Sequence, residues 1–312
     1  MLPPEAVEKL GLGLSDVSPA LSFGLTISDR QEVSSVAIVR SWVHVTRISY
    51  AEAQQRLAEQ PFARLWELAR IFRERRWANG AVEIRLPEVS VRVIDDEVNI
   101  RTLPALDSRT LVTEMMLMAG QAAARFALEH EIPFPFSTQA PPEAEMQRPD
   151  DMAGMFALRK KLKRSQMKNT PQPHAGLGLD IYSQVTSPLR RYLDLVAHQQ
   201  LRAFIGGEAL LTEQEVMTRV ATAEEISGKT RSAERSSNRH WTLVYLRRHP
   251  QWQGKGIVVD KRGPRAVLII PELGLDATVP ASAGGDLNTQ IRLAIEGTDL
   301  ATLSAYFRPL SR

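Results

Sequence analysis

The chain has 312 residues, of which 43% are hydrophobic and 24% are charged, a composition ordinary for a globular protein and not one that predicts disorder. A formal net charge of +3 is too small to indicate a polyanionic partner by itself, and such a partner must be inferred from local charge. The sequence contains no cysteine, which excludes disulfides, thiolate zinc sites and a cysteine nucleophile.

Two further features concern the compartment. The absence of cysteine fits a reducing environment, so we expect a cytoplasmic protein. The longest apolar stretch, residues 115–128, is interrupted by Gln121 and Arg125 and is shorter than the ~18 apolar residues of a membrane span. The opening MLPPEAVEKL lacks a signal-peptide pattern, so we expect no membrane as a partner.

The first hundred residues alternate between strand and helix patterns. Extended segments in residues 20–47, separated by the polar SDRQE, predict an antiparallel hairpin. From Tyr50 the apolar residues follow helical spacing, which predicts one helix ending near Asn79-Gly80. Residues 82–103 then alternate apolar and polar side chains around Asp95-Asp96, which predicts a second hairpin.

The remaining chain predicts helices followed by a small barrel. Asp107-Ser108 caps a long helix that runs to about Glu129, and a proline-rich loop follows it. Short strands between Gly254 and Phe307 have the spacing of a five-stranded OB-type barrel. We predict a mixed α/β (α+β) fold with an antiparallel sheet wrapped by helices. Its two domains are residues 1–249 and the barrel, 250–312.

Thr186-Ser187-Pro188 predicts a helix start, because a hydroxyl can cap free amides and proline suits the first turn. In that helix Arg190, Asp194 and His198 would be spaced four residues apart on one face. Helix-end amides, a hydroxyl and two arginines within one turn are the groups that form a phosphate site. From helix geometry alone, however, a surface ion pair between Arg190 and Asp194 is the favoured interpretation.

Residues 174–198, HAGLGLDIYSQVTSPLRRYLDLVAH, resemble the characteristic segment of the ribonuclease II-type (RNB) family. Leu189 replaces the family's isoleucine and Val185 replaces its usual aromatic residue. Other blocks follow the family's order, and the resemblance extends from residue 1 to about Leu246. These blocks are MLPPEAVEKLGL, ALSFGLTI, RISYAEA, SRTLVTEMMLMAGQAAARF, EIPFPFSTQAPP and SAERSSNRHWTLVYL.

The resemblance implies a processive, Mg²⁺-dependent hydrolase that shortens single-stranded RNA from its 3′ end and releases nucleoside 5′-monophosphates. The family binds Mg²⁺ through an aspartate block, D-x5-D-x-D-D, that precedes the segment matching MLPPEAVEKL. We therefore expect the metal ligands upstream of residue 1 and assign no metal ligand in this sequence. Asp95-Asp96 and Asp150-Asp151 are interpreted as turn or loop residues.

These expectations leave two hypotheses. In the first, the chain is part of an exoribonuclease, inactive alone, with the missing N-terminal part of the same protein as its partner. In the alternative, it is a non-catalytic single-stranded RNA-binding protein built on a metal-free RNB remnant.

The resemblance also assigns roles to individual residues. Arg190 matches the family arginine beside the scissile phosphate and is the expected catalytic residue, stabilising developing negative charge. Asp194 and His198 are expected to support it. A buried aromatic and a helix-start carboxylate are the structural alternatives for Tyr50 and Glu114. The residues with an implied RNA contact are Tyr50, Glu114, Ser187, Arg191, Tyr192 and Glu234.

Basic residues concentrate beside and within the predicted barrel. Between Lys229 and Arg265 there are ten lysines or arginines against two acids, and a second basic run spans 159–164. A solvated helix face is the alternative explanation, but the adjoining barrel resembles an RNA-binding module. Trp252, Tyr306 and Phe307 could stack on bases or pack in the core. SGKT at 227–230 lacks a phosphate-loop context and is interpreted as helix interior.

Overall fold

The structure is a computed structural model that describes residues 2–28, 33–143 and 149–310. It divides into two compact units, and each unit is assembled from three separate segments. The first unit contains Met1–Val82, Ala105–Pro141 and Lys163–Ile226, and the second contains Glu83–Pro104, Pro142–Leu162 and Ser227–Arg312. Within the described ranges, no helix has both the length and the apolar content needed to cross a membrane.

The chain begins with a short helix, α1 (Pro4–Leu10), and a long antiparallel hairpin formed by β1 (Ser18–Ile27) and β2 (Val33–Val43). This hairpin confirms the first prediction, although most of the SDRQE segment lies outside the described residues.

The helix predicted from Tyr50 to Asn79 is in fact two helices, α2 (Tyr50–Gln55) and α3 (Phe62–Ala78). The single-helix prediction was wrong because Pro61 has no N–H to donate and disfavours helical backbone in the residue before it. The predicted end is correct, since Gly80 follows α3 with a positive φ of 83°.

The second predicted hairpin is confirmed as β3 (Val89–Ile94) paired with β4 (Glu97–Thr102). Asp95 and Asp96 form its turn, with φ values of 50° and 62°. This left-handed backbone is one that aspartate tolerates, so the turn interpretation of these two carboxylates is correct.

The long helix α4 (Asp107–Glu129) ends where the sequence predicts. The predicted cap at Asp107-Ser108 was wrong, because both residues lie within the helix and no side chain caps its start. The Ser108 hydroxyl instead donates to the Tyr50 carbonyl oxygen (2.7 Å). The following elements are β5 (Phe136–Thr138), α5 (Met152–Lys161), β6 (Gln166–Lys168), α6 (Tyr192–Gly206) and α7 (Glu213–Arg248).

The core of the first unit lies between the β1–β2 hairpin and helices α4 and α6. Ile38 of β2 packs with alanines of α4, with Phe134 and with Leu201 of α6, all of them buried. The close-packed alanines let the backbone of α4 approach its neighbours. An antiparallel hairpin covered by helices confirms this part of the predicted fold class.

The second unit contains the predicted five-stranded antiparallel barrel. Its strands have the order β11-β10-β7-β8-β9, and β11 lies beside β9 so that the barrel is nearly closed. Inward side chains such as Leu268, Ile270 and Leu293 form its core together with Leu243 and Leu246 of α7. The elements are β7 (Gln253–Arg262), β8 (Arg265–Ile270), β9 (Leu275–Pro280), α8 (Ala281–Gly284), β10 (Gln290–Asp299) and β11 (Ser304–Pro309).

Candidate functional site

Residues 186–191 form a turn, and the helix predicted to start at Thr186 begins only at Tyr192. The backbone N–H groups of Arg190 and Arg191 donate to the Ser187 carbonyl oxygen (3.2 and 2.9 Å). Arg191 itself is extended (φ −118°, ψ 119°), which interrupts the helical path. The prediction of the helix start was therefore wrong, because proline at the second position suits a tight turn as well as a helix.

A buried carboxylate holds this turn. Asp194, in the first turn of α6, is fully buried, and its Oδ2 accepts hydrogen bonds from Ser187 N (2.8 Å) and from Arg191 Nε and Nη2 (3.0 and 2.7 Å). Arg191 Nη2 also donates to Thr186 Oγ1 (3.2 Å). The pair is therefore Arg191–Asp194, and the alternative Arg190–Asp194 surface pair is wrong.

Fixing the turn leaves two side chains accessible. Arg190 is exposed and has no ion-pair partner among the residues that the structure describes. Tyr192, at the first position of α6, is 50% exposed. Ser187 is half-buried beside them. An accessible guanidinium and the free N–H groups of a helix start are chemically suited to a phosphate.

His198 holds the residue that directly precedes the same turn. Its Nε2 donates to the Val185 carbonyl oxygen (2.6 Å), and its ring meets Phe23 edge-on. Burial is the main cause that lowers the pKa of His198, so the ring is neutral at neutral pH. It therefore anchors the residue that precedes Thr186.

Glu114 lies inside α4, so the interpretation of a helix-start carboxylate is wrong. The residue is 2% exposed, and both carboxylate oxygens accept hydrogen bonds from Arg76, one of them from Nε at 2.9 Å. Arg76 Nη1 also donates to the Leu177 carbonyl oxygen (2.8 Å). The RNA contact implied for Glu114 remains a prediction, and it would require this ion pair to open.

Tyr50 starts α2 and is 41% exposed, so the interpretation of a buried aromatic is wrong. The Arg109 guanidinium lies 4.6 Å from its ring centre, and the Ser49–Glu52 capping box fixes the helix start. A small apolar cavity of about 180 Å³ lies beside the ring, with Phe62 and Leu111 in its wall. One face of Tyr50 is thus supported by Arg109.

Tyr182 is a further buried residue near these groups, and sequence reasoning gave it no role. It is 8% exposed, and burial is the main cause that raises the pKa of its hydroxyl, on which the charges of Arg191, Asp194 and Arg76 also act. Its ring packs so tightly on α4 that a Cβ at Gly120 would lie 2.4 Å from it. A glycine inside a long helix was the available sequence indication.

The remaining predicted residue, Glu234, lies in α7 of the second unit, where its side chain is exposed. SGKT, residues 227–230, is helical as predicted. Asp151 caps α5 by accepting from Gly154 N (2.8 Å), which confirms a structural role. Across the described ranges, no three His, Asp or Glu side chains are grouped so that they could hold a metal ion.

Comparison with known proteins identifies two matching families. The model described as "RNB domain" matches residues 1–207, and the "RNase II-type exonuclease C-terminal S1 domain" matches residues 252–310. An uncharacterized ribonuclease of Synechocystis is 36% identical over 293 residues, covering 88% of this chain and 44% of the relative. The chain spans 39–44% of the length of the first curated relatives it matches.

Solved structures share the fold. Mycoplasma genitalium RNase R in complex with ribose methylated single-stranded RNA has a TM-score of 0.79 at 14% identity, covering 99% of this chain and 60% of that one. Yeast Ssd1, described as a pseudonuclease, has a TM-score of 0.67 at 18% identity, covering 90% of this chain and 41% of the other.

Proposed function

Because this chain belongs to the RNB domain family, we propose that it is part of a processive 3′-to-5′ exoribonuclease that hydrolyses single-stranded RNA to nucleoside 5′-monophosphates. The observation that carries the proposal is the exposed Arg190 on a turn whose other polar groups are fixed by Asp194. RNA as the ligand is supported by the single-stranded RNA bound in the Mycoplasma relative of the same fold.

In this proposal Arg190 acts as negative charge builds on the scissile phosphate. Its planar guanidinium offers two parallel donors to phosphate oxygens, a geometry that lysine lacks. Because the turn is already held by Asp194 and Arg191, little reorganisation accompanies that contact. Ser187, Arg191 and Tyr192 line the phosphate path, whereas Asp194 and His198 position the turn without touching RNA.

The Mg²⁺ that the resemblance implies does not fit the residues described. Asp194 is an isolated carboxylate, and its Oδ2 already accepts three hydrogen bonds from Ser187 and Arg191. Mg²⁺ needs several oxygen ligands in octahedral arrangement. We therefore propose that carboxylates outside the described residues bind the metal, and, as the resemblance implies, we expect the chain alone to be inactive.

A second candidate function is non-catalytic binding of single-stranded RNA. The observation that favours it is the fold shared with Ssd1, a pseudonuclease, because it shows that this architecture also occurs in a protein described without nuclease activity. Arg190 would then contribute to affinity rather than to turnover.

One experiment separates the two. Protein purified from its own source, with every associated polypeptide retained, is incubated with Mg²⁺ and a 5′-labelled unstructured RNA. The exoribonuclease proposal expects full-length RNA to be converted to a short 5′-labelled end product with few intermediates, together with unlabelled nucleoside 5′-monophosphates. It expects no cleavage by the recombinant 312-residue chain. Binding without cleavage in both samples would support the binding protein. Cleavage by the contaminant-free recombinant chain would overturn the assignment of the metal ligands elsewhere.

A further inference from the structure

Helix α5 covers part of the outer face of the barrel. Three outward side chains of β7 and β8 (Val259, Val267 and Ile269) are buried against Ala153 and Phe156 of α5. Strand β8 is consequently buried on both faces. In OB-type barrels the outer face around the second strand is where oligonucleotides usually bind. Here the chain itself occupies part of that face.

Polar contacts fasten α5 to the barrel at both ends. At its start, Asn288 Nδ2 donates to Asp151 Oδ1 (3.0 Å), and Asn288 Oδ1 accepts from Ala153 N (2.9 Å). At its end, Lys160 Nζ donates to Asp260 Oδ2 (2.6 Å). Breaking both sets of contacts and the apolar packing would be needed to clear the face. The helix is therefore an integral part of the second unit.

Beyond α5 the barrel surface remains open as a groove of about 570 Å³. This volume lies in the range of ~300–1,000 Å³ that ligand sites span. The groove runs between Phe156 and strands β8, β9 and β11. Among the aromatic residues that line the groove, Tyr306 of β11 is 56% exposed. Phe307 is 7% exposed and packs on Trp252.

Three arginines line this groove, each oriented by a hydrogen bond. Arg262 Nε donates to Asp260 Oδ2 (3.0 Å), Arg265 Nη1 donates to Thr278 Oγ1 (3.2 Å), and Arg239 Nε donates to the Leu303 carbonyl oxygen. A guanidinium has five N–H donors, so most of them stay available to a ligand.

Two carboxylates, Asp276 and Glu296, also line the groove. Asp276 is partly neutralised by Arg159 of α5, since Arg159 Nη2 lies 3.9 Å from Asp276 Oδ2. The arginines therefore outnumber the carboxylates, and an exposed aromatic ring, Tyr306, lines the same groove. Cationic donors beside a stacking platform are the combination that single-stranded nucleic acid favours.

We infer that α5 excludes RNA from the β7–β8 face and confines a short stretch of single strand to the groove beside it. Arg262 and Arg265 contact phosphates there, and Tyr306 stacks on a base. This inference rests on the proposed function, because it takes RNA as the ligand. It adds that α5, which lies about 100 residues before the barrel in sequence, shapes the RNA site of the barrel.

The test uses the full chain with the variants Arg265→Ala and Tyr306→Ala and a fluorescein-labelled oligouridylate. Anisotropy at several salt concentrations gives the dissociation constant and its salt dependence. Tyr306→Ala should weaken binding by about tenfold, as expected for one lost stacking contact. Arg265→Ala should also weaken it and reduce the slope of log K against log salt by about 0.7.

The matched control is Arg292→Ala, which removes an exposed arginine of β10 that lies outside the groove and bonds Gln253 in a similar way (3.3 Å). It should leave both the affinity and the salt slope unchanged. If all three variants weaken binding equally, the groove assignment is wrong. If the wild-type chain binds no RNA at all, it is the proposed function that fails.

Cross-linking tests the role of α5 directly. RNA containing 4-thiouridine, irradiated on the wild-type chain and mapped by peptide mass spectrometry, should mark the β11 peptide that contains Tyr306. Cross-links to Val259 or Ile269, which are buried under α5 and lie outside the groove, would show that RNA reaches the face under α5 and would overturn the inference.

Discussion

Arg190 is exposed, while its neighbours Arg191 and Asp194 are engaged with each other. If the proposed exoribonuclease activity is correct, Arg190→Lys should lower turnover by roughly two to three orders of magnitude, the scale of losing one transition-state donor. Affinity for RNA should barely change, because many other contacts share ground-state binding. Single-turnover cleavage of an unstructured RNA, measured beside its Kd in Ca²⁺, checks both quantities.

The control for Arg190→Lys is Arg202→Lys, an exposed arginine further along α6. It should leave turnover unchanged. A fall in affinity that accounts for the whole loss of rate would make Arg190 a binding residue instead.

Asp194 should matter for stability as well as for position. Asp194→Asn removes the buried negative charge opposite Arg191, whose side chain is only 28% exposed. Breaking a buried ion pair in this way costs about 3–5 kcal/mol. Urea unfolding should show such a loss, whereas Asp180→Asn, whose side chain is 62% exposed and paired with Arg125, should cost under about 1 kcal/mol. If Asp194→Asn also costs under about 1 kcal/mol, the ion pair and hydrogen bonds of Asp194 contribute little to stability.

His174 should make stability depend on pH. Burial lowers the pKa of this histidine to about 4, and its Nδ1 has no hydrogen-bond partner among the described residues. Because the pKa in the unfolded chain is about 6.5, the unfolded state takes up the proton first as the pH falls. This contribution to stability is therefore complete above about pH 6.5 and is lost progressively toward pH 4.

We expect His174→Gln to reduce the difference in unfolding free energy between pH 7.5 and pH 5 by about 2 kcal/mol. The control, His44→Gln, changes a side chain that is 70% exposed and should keep the wild-type pH dependence. Denaturant titrations at the two pH values measure the difference. An unchanged pH dependence in the His174 variant would contradict this prediction.

At the level of elements, features set by residues close in sequence were predicted correctly, whereas a feature set by a tertiary contact was not. The hairpin turn at Asp95-Asp96 and the end of α3 at Asn79-Gly80 depend on residues close in sequence, and both were predicted correctly. The start of α6 was not, because Asp194 reaches back to Ser187 N and the turn is preferred to a helix. Proline and serine suit both structures, so only the tertiary contact decides between them.

The ion pair between Arg76 and Glu114 joins α3 to α4, and Arg76 also bonds the Leu177 carbonyl oxygen. We expect Arg76→Met to destabilise the protein by about 3–5 kcal/mol, because it leaves the Glu114 charge buried without a partner. The double variant with Glu114→Leu should recover most of that loss, since no buried charge remains. Thermal and urea unfolding of the two variants measure both effects.

Arg64→Met is the matched control for this pair, because it removes an exposed ion pair with Glu67 from the same helix. It should cost under about 1 kcal/mol. If the double variant is no more stable than Arg76→Met, the loss comes from packing rather than from an unpaired charge.

At the level of the whole molecule, the site was only partly predictable from sequence. Arg190, Asp194 and His198 lie in one continuous segment, so the resemblance identified them together. Arg76 is brought near that segment only by folding, and its sequence neighbours gave no indication of it. Helix α5 likewise covers the barrel face through contacts between segments that are distant in sequence, and no local pattern predicts such contacts.

A chain that ends at Trp252 should expose apolar surface and self-associate, in addition to losing the barrel. Removing β7–β11 uncovers Ala153 and Phe156 of α5 as well as Leu243 and Leu246 of α7. We expect this shortened protein to bind an apolar dye, to associate on size-exclusion columns and to show weaker RNA binding with a flatter salt dependence. A chain shortened only to Pro309 is the control. A monomeric protein with unchanged RNA affinity would contradict the prediction.

The three-segment assembly of the second unit also has a consequence during synthesis. The nascent chain passes between the two units at five positions, and α5 leaves the ribosome about 100 residues before β8. At ~5–20 residues per second, the apolar side of α5 therefore waits for about 5–20 s before its partner strand exists. During that interval we expect Phe156 to be exposed and able to bind a chaperone, until β7 and β8 are translated and cover it.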